Sequence, residues 1–141
     1  MSAPSTIVVT HDGADLDGFA AAVDVRRASR LVGLGELGRR IAEDRSLEVA
    51  AWDHHGPSAD DVPAAEVHVE AVGAVTTLLV EALQARGLAI DAAEATLFAL
   101  GIHADTGSLT YAGTTARDAA AAATALAAGA RLGVIGRELA P

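Results

Sequence analysis

The chain has 141 residues, of which 51% are apolar and 3% aromatic, with a net charge of −9 and no cysteine. This length fits one domain, and the lack of cysteine excludes disulfides, thiolate zinc sites and a cysteine nucleophile. The sequence shows no basic stripe of the kind that nonspecific nucleic-acid binders carry. It also shows no signal peptide and no apolar run of about twenty residues that could span a bilayer. We therefore expect a cytoplasmic protein without membrane contact or stable duplex nucleic-acid binding.

The first half of the chain alternates strand and helix patterns. A β-branched run at 6–10 predicts a buried strand that ends at the polar sequence HDGADLD, and residues 16–30 and 34–44 favour helices. The run 47–52 predicts a second strand, which ends at Asp-His-His. The alternating residues 66–70 predict a third, more exposed strand.

The second half is predicted to be helical. Residues 73–85 have helical apolar spacing and stop at Gly87. Asp91 can cap a second apolar helix that Asp105 ends, and Thr115, with Asp118 three residues later, can cap an alanine-rich helix that ends at Gly129. This order predicts an α/β fold with a mainly parallel sheet flanked by helices. Ligands in such sheets bind outside the carboxyl ends of the strands.

Three polar clusters carry the candidate chemistry. The first follows the first predicted strand, and its carboxylates repel one another unless a cation lies between them: His11, Asp12, Asp15 and Asp17. Oxygen and imidazole ligands without sulfur suit Mn²⁺ or Mg²⁺. The alternative is a solvated turn that caps the next helix.

The second cluster is Asp53-His54-His55, at the end of the second predicted strand. One histidine can bind a metal while the next faces substrate, and the aspartate can orient an imidazole. The alternative is a surface loop that holds two histidines.

The third cluster is the helix end at Asp105 and the turn Thr106-Gly107-Ser108, whose backbone amides could approach a phosphate. Arg117, in the first turn of the last predicted helix, could pair with a substrate phosphate. The alternatives are a plain helix stop and an ordinary solvated arginine.

Together the clusters resemble the motifs of the DHH phosphoesterase family. HDGADLD resembles its first motif, DHHG its third, and GIHADTGSLTY followed by TTARD its fourth; the stretch VEAVGAVTTLLVEAL between them is also similar. The similarity is most evident to DHH modules fused with CBS domains and a tRNA nucleotidyltransferase, and next to oligoribonuclease and pAp-phosphatase members. It implies a single DHH-type domain over residues 1–141.

The resemblance implies a hydrolase with two Mn²⁺ or Mg²⁺ ions. His11 and Asp15 would hold one ion, and Asp17, His54 and Asp105 the other. His55 would contact the scissile phosphate or protonate the leaving group, and Asp53 would support it. The reaction would be hydrolysis of a phosphoester bond in a small nucleotide or short oligonucleotide by metal-activated water.

The chain departs from the family before its second motif, which supplies an aspartate that bridges the two ions. The nearest similar residue is Asp24, so the sequence looks internally shortened near 20–22. If this segment is one helix, Asp24 lies roughly 10 Å along its axis from Asp17, too far for both to bind one ion. Asp24 is therefore a poor bridging ligand, and the chain could hold one ion instead of two.

The family's second, substrate-gripping domain has no counterpart after the helical half, so we expect a fragment, a remnant or a subunit that works beside another protein. Two functions stay open. The first is the metal-dependent phosphoesterase, and the alternative is a degenerate, noncatalytic DHH module that binds metal, nucleotide or a partner protein. The sequence also leaves the oligomeric state open, including a homodimer.

Overall fold

A computed structural model describes residues 6–9, 43, 48–56 and 66–140 of the chain. The predicted helix at 16–30 lies outside these residues. Of the predicted helix at 34–44, Glu43 is described, and it is helical and exposed.

Three strands form a parallel sheet in the order β1-β2-β3. They are β1 (Thr6–Val9), β2 (Glu48–Asp53) and β3 (Glu66–Val69). In register, Thr6 pairs with Glu48 and Trp52 pairs with His68. All three strands are where the sequence predicts them, and β3 is largely exposed, as predicted, although Val67 and Val69 are exposed and His68 is the half-buried residue. The described strands support an α/β fold with parallel strands.

Four helices follow: α1 (Val75–Ala85), α2 (Ala92–Asp105), α3 (Ala116–Ala127) and α4 (Leu132–Glu138). The predicted limits of the first three are confirmed by their local chemistry. Asp91 and Glu94 form a reciprocal capping box at the start of α2. Gly87 and Gly129, which follow α1 and α3, both have positive φ, as glycines that end helices commonly do. The sequence did not predict α4, because Gly133 and Gly136 weaken its helical pattern.

The described core has two parts. The larger lies among the helices, where Phe98 and Ile102 of α2 are fully buried beside the small side chains of α3, Ala121, Ala122 and Ala125. The smaller part joins the helices to the sheet, since Trp52 of β2 packs against an apolar cluster at the start of α1: Val72, Val75, Leu78 and Leu79. This second contact sets the position of β2 relative to α1. None of the described helices has both the length and the apolar character that crossing a membrane requires.

Candidate functional site

The candidate site begins where β2 ends, at the turn Asp53-His54-His55. One carboxylate oxygen, Oδ1 of Asp53, accepts hydrogen bonds from the backbone nitrogens of His54 (2.7 Å) and His55 (2.9 Å). The same oxygen lies 3.0 Å from Nδ1 of the His55 ring. Asp53 therefore holds the backbone of the turn and the orientation of one imidazole at once.

Across from this turn is the last residue of α2. Oδ2 of Asp105 lies 3.5 Å from Nε2 of His54, and both side chains are largely buried, with 14% and 7% of their surface exposed. By alternation along β2, His54 points to the same face of the sheet as Trp52, and that face carries the helices. The structure thus brings together two of the predicted metal ligands, which are 51 positions apart in the chain.

The geometry of this pair fits a divalent cation. Two donors that each lie about 2.1 Å from one ion, at an angle between about 90° and 110°, are about 3.0–3.4 Å apart, close to the observed 3.5 Å. Asp105 also lies at the C-terminal end of α2, where the helix dipole places partial negative charge. A carboxylate at that position is stabilised by a cation. The donor set of one imidazole and one carboxylate, without sulfur, suits Mn²⁺, Mg²⁺ or Zn²⁺.

The turn itself is a second possible ligand group. Among the described residues, Asp53, His54 and His55 can place ligand atoms within 4.8 Å of one another. Oδ1 of Asp53 is already the acceptor for the turn, which favours a supporting role for this residue. His55 is the exposed member, with 58% of its side chain accessible. If its Nδ1 donates to Asp53, its Nε2, on the other side of the ring, is the nitrogen that would exchange a proton with a substrate.

The turn Thr106-Gly107-Ser108 directs its backbone amides inward. Thr106 is fully buried, and its hydroxyl donates to the carbonyl of Ile102 and accepts from the amide of Leu109. The amides of Ser108, Thr110 and Tyr111 donate to carbonyls of His103 and Thr106. Three successive residues of this turn have positive φ, at 54°, 58° and 68°: Gly107, Ser108 and Leu109. The exposed residue of the predicted trio is Ser108.

Arg117 forms ion pairs within the domain. Its Nε and Nη2 donate to the two carboxylate oxygens of Glu81 at 2.8 and 2.6 Å, and its Nη1 donates to Glu70. The hydrogen bond from Arg117 holds the pKa of Glu81 below its ordinary value. The bonds with Glu81 and Glu70 raise the pKa of Arg117, so this guanidinium is charged at any physiological pH.

Asp118 is a buried carboxylate that joins three parts of the chain. The sequence indicated only its role at the start of a helix. Oδ2 of Asp118 accepts from the amides of Gly73 (2.9 Å) and Thr115 (2.7 Å) and from the Thr115 hydroxyl. Its Oδ1 accepts from the amide of Ala74 (3.2 Å) and the hydroxyl of Thr77 (2.6 Å). Burial opposes the charge on Asp118, but the bonds from Thr77, Thr115 and Gly73 outweigh it and lower the pKa of this carboxyl. The N-terminal end of α1, which could otherwise face a phosphate, is thus directed at an internal anion.

The remaining predicted ligands, which come from the first half of the chain, lie outside the described residues: His11, Asp15, Asp17 and Asp24. Their assignment to the metal site, and the weak case for Asp24 as a bridging ligand, stay predictions.

The chain is similar in sequence to a short segment of two much longer proteins. It is 38% identical over 113 residues to an A-adding tRNA nucleotidyltransferase of Geobacter sulfurreducens, covering 80% of this chain but 12% of that protein. It is 45% identical over 92 residues to an A-adding tRNA nucleotidyltransferase of Aquifex aeolicus, covering 65% of this chain and 11% of that protein. The chain thus spans only about an eighth of the length of these relatives. No protein-family model matches it.

Two solved structures share the fold. A Methanococcus jannaschii protein assigned as a family II inorganic pyrophosphatase superimposes with a TM-score of 0.67 and 15% identity, over 94% of this chain and 60% of its own. An exopolyphosphatase-related protein of Bacteroides fragilis superimposes with a TM-score of 0.70 and 14% identity, over 96% of this chain and 56% of its own. At these identities the similarity establishes the α/β fold.

Proposed function

We propose that this chain is a DHH-type, divalent-metal-dependent phosphoesterase module that acts on small nucleotides or short oligonucleotides. The observation that carries the proposal is the opposition of His54 Nε2 and Asp105 Oδ2 at 3.5 Å, at the carboxyl end of a parallel strand, where α/β proteins bind ligands. The fold shared with a pyrophosphatase and an exopolyphosphatase-related protein supports a phosphate substrate.

His54 and Asp105 would hold one ion, Mn²⁺ or Mg²⁺, together with Asp17 from the first motif. His11 and Asp15 would hold a second ion. When bound, these ions would lower the pKa of a coordinated water toward neutrality and offset negative charge on the phosphoryl oxygens. Asp24 is left out as a bridging ligand because, if residues 17–24 form one helix, it would lie roughly 10 Å along the axis from Asp17.

The rest of the proposed site comes from residues close in sequence to His54 and Asp105. Asp53 orients the His55 ring through Nδ1, and His55 would contact the phosphate or give a proton from Nε2 to the leaving oxygen. Ser108 supplies an exposed hydroxyl for substrate. The proposal leaves out Thr106, which is buried, and Arg117, whose charge is neutralised by Glu70 and Glu81.

A second candidate is a noncatalytic module that binds metal or nucleotide within a larger protein. It is favoured by the sequence matches, because the segment they cover is 11–12% of proteins named for nucleotidyl transfer to tRNA and not for hydrolysis. A metal-binding module would hold the same cation as the phosphoesterase and differ from it in turnover, whereas a nucleotide-binding module would need no cation.

The test is Mn²⁺ binding and Mn²⁺-dependent cleavage of bis-p-nitrophenyl phosphate and of a short RNA by the same preparation. We expect wild-type protein to bind Mn²⁺ and to cleave both substrates weakly at most, because no residue is assigned to bridge two ions. His54→Ala and Asp105→Asn should each lower Mn²⁺ affinity by at least about tenfold. His68→Ala is the matched histidine control, because His68 pairs with Glu66 and stacks on Trp52 and is not one of the proposed ligands.

The two candidates are separated by the result. Mn²⁺ binding without cleavage of either substrate would overturn the phosphoesterase and support the noncatalytic module. No Mn²⁺ binding by the wild type would overturn the phosphoesterase and the metal-binding form of the second candidate. Cleavage that Asp24→Ala abolishes would show that Asp24 bridges the ions after all.

A further inference from the structure

We propose that Asp118 is a positioning residue for the metal site, which holds Asp105 opposite His54 by locking the segment 70–74 between β2 and α2. This inference rests on the proposed function. Segment 70–74 joins β3 to α1, and Asp118, at the start of α3, lies 45 positions from Gly73 along the chain.

The first step is the attachment of the segment to Asp118. The amides of Gly73 and Ala74 donate to different oxygens of its carboxylate, at 2.9 and 3.2 Å. Thr77 in the first turn of α1 and Thr115 before α3 complete the shell of donors. Each carboxylate oxygen of Asp118 accepts a hydrogen bond from at least one backbone N–H group. An asparagine amide in either orientation would therefore point its NH₂ group, which is a donor, at a backbone N–H donor. Only a carboxylate satisfies this site.

The second step is that the locked segment contacts both halves of the candidate metal site. At one end, the amide of Glu70 donates to the carbonyl of Asp53, the residue before His54, at 3.3 Å. At the other end, a methyl group on Gly73 would lie 2.7 Å from Cγ2 of Thr106, the residue after Asp105. Each partner of the His54–Asp105 pair is thus next in sequence to a residue that the segment contacts.

The third step is a set of ion pairs made by Arg117, the residue before Asp118. Arg117 binds the side chain of Glu70, at the start of the segment, and that of Glu81 on α1. Thr114 adds a longer hydrogen bond of 3.4 Å to the carbonyl of Thr106. Residues at the start of α3 therefore contact both the segment and the residue that follows α2. Asp118 itself is fully buried and does not contact substrate.

The physical consequence is a metal site whose ligand spacing depends on Asp118. If the segment moves away from Thr106, the end of α2 loses its support and the two ligands no longer stay at the distance that one ion requires. Residues that orient metal ligands from outside typically contribute about 10- to 100-fold in affinity. We expect Asp118→Asn to weaken Mn²⁺ binding by about tenfold. This loss of affinity should be larger than that of a variant that is destabilised to the same extent by a substitution elsewhere.

The experiment measures the Mn²⁺ dissociation constant and the metal-free melting temperature of the whole chain for each variant. Ile135→Ala is the matched control, because it removes a buried side chain from α4, which belongs to the larger core and not to the segment. We expect it to lower the melting temperature and leave the Mn²⁺ affinity of the folded protein unchanged.

A second pair of substitutions, at Thr77, keeps the inference testable if Asp118→Asn does not fold. Thr77→Ser keeps the hydroxyl that donates to Asp118, whereas Thr77→Val removes it at nearly constant volume. We expect Thr77→Val to raise the Mn²⁺ dissociation constant severalfold and Thr77→Ser to retain the wild-type value. If Thr77→Val binds Mn²⁺ as tightly as Thr77→Ser, or Asp118→Asn as tightly as wild type, the inference is overturned while the proposed function stands. If wild type binds no Mn²⁺, both are overturned.

Discussion

Asp105 and Asp118 are two aspartates of the helical half with opposite surroundings. Asp118 is fully buried and accepts five hydrogen bonds from three parts of the chain. Asp105 is partly exposed, ends α2, and faces the imidazole of His54 at 3.5 Å. One carboxylate is surrounded by donors, whereas the other faces a second metal-type ligand at the negative end of a helix dipole.

The difference separates a structural anion from a candidate cation ligand. Hydrogen-bond donors that converge on Asp118 stabilise its charge within the fold, so it needs no external partner. The surroundings of Asp105 instead concentrate negative charge, and a bound cation would stabilise them. Substitutions of the two aspartates should therefore have different consequences.

The largest contrast is in the free energy of unfolding without metal. Asp118→Asn should destabilise the protein by about 3 kcal/mol, because buried amide donors of Gly73 or Ala74 lose their acceptor. Asp105→Asn should cost less, about 1 kcal/mol, because it replaces the carboxylate of one long, largely buried ion pair with a polar amide of similar size. Urea unfolding of both variants in the presence of a chelator measures the difference. Equal losses would remove the distinction between the two carboxylates.

The next effect concerns the space around Asp118. A methyl group on Gly73 would lie 2.7 Å from Thr106 Cγ2 and 3.0 Å from Asp118 Oδ2, both buried, so Gly73→Ala should destabilise by about 1–3 kcal/mol. Gly136→Ala in α4 is the control, since nothing lies within 4 Å of the added group. That variant should stabilise by about 0.5–1 kcal/mol. Thermal unfolding of the pair checks the sign as well as the size.

The dependence of stability on pH should also report Asp118. Its pKa is lower in the folded protein than the ordinary 3.8, so its ionisation stabilises the fold above that pH, and this stability is lost as the pH falls below it. One such group adds a slope of at most about 1.4 kcal/mol per pH unit. Urea unfolding between about pH 5 and pH 3 should show this slope in wild type. A slope of the same size in Asp118→Asn would assign it to other carboxylates.

The smallest effect should come from the ion pairs of Arg117, the residue next to Asp118. Arg117 and its partners Glu70 and Glu81 are well exposed to solvent, with 39%, 55% and 36% of their side chains accessible. Arg117→Gln should therefore cost at most about 1 kcal/mol. Raising the salt concentration should shrink that cost, because salt screens exposed pairs. A larger loss that salt does not change would point to a packing role for the arginine stem.

Local features of the fold could be predicted from the sequence. The strands and the caps at Asp91 and Thr115 depend on residues a few positions apart, and the structure confirms them. The end of α1 at Gly87 is also confirmed, because this glycine has a positive φ, as glycines that end helices commonly do. The helix α4 was missed because two glycines obscure its pattern, although buried Ile135 anchors it in the core.

Contacts between distant residues could be predicted only in part. The proximity of His54 and Asp105 was expected from the resemblance to the DHH family, which assigns both to one ion, whereas Asp118 was assigned only as a helix cap. Its bonds to Gly73 and Thr77 span more than forty positions, and no local pattern indicates them. One signal was present, namely a carboxylate in the first turn of an alanine-rich helix. Such a charge must find donors when the helix is buried.

The parallel sheet also affects the order in which the chain can fold. Thr6 pairs with Glu48, so forming this pair closes the whole intervening segment as a loop, while the turns that connect α1 to α4 join neighbouring elements. Contacts close in sequence form first, and parallel pairing across long loops is slow. We expect the helices to become protected before the sheet, although β1 is synthesised first. Pulsed hydrogen exchange during refolding should then protect the amide of Val80 in α1 earlier than that of Val49 in β2. Among the described elements, the strand that is synthesised before the others would thus be among the last to become protected.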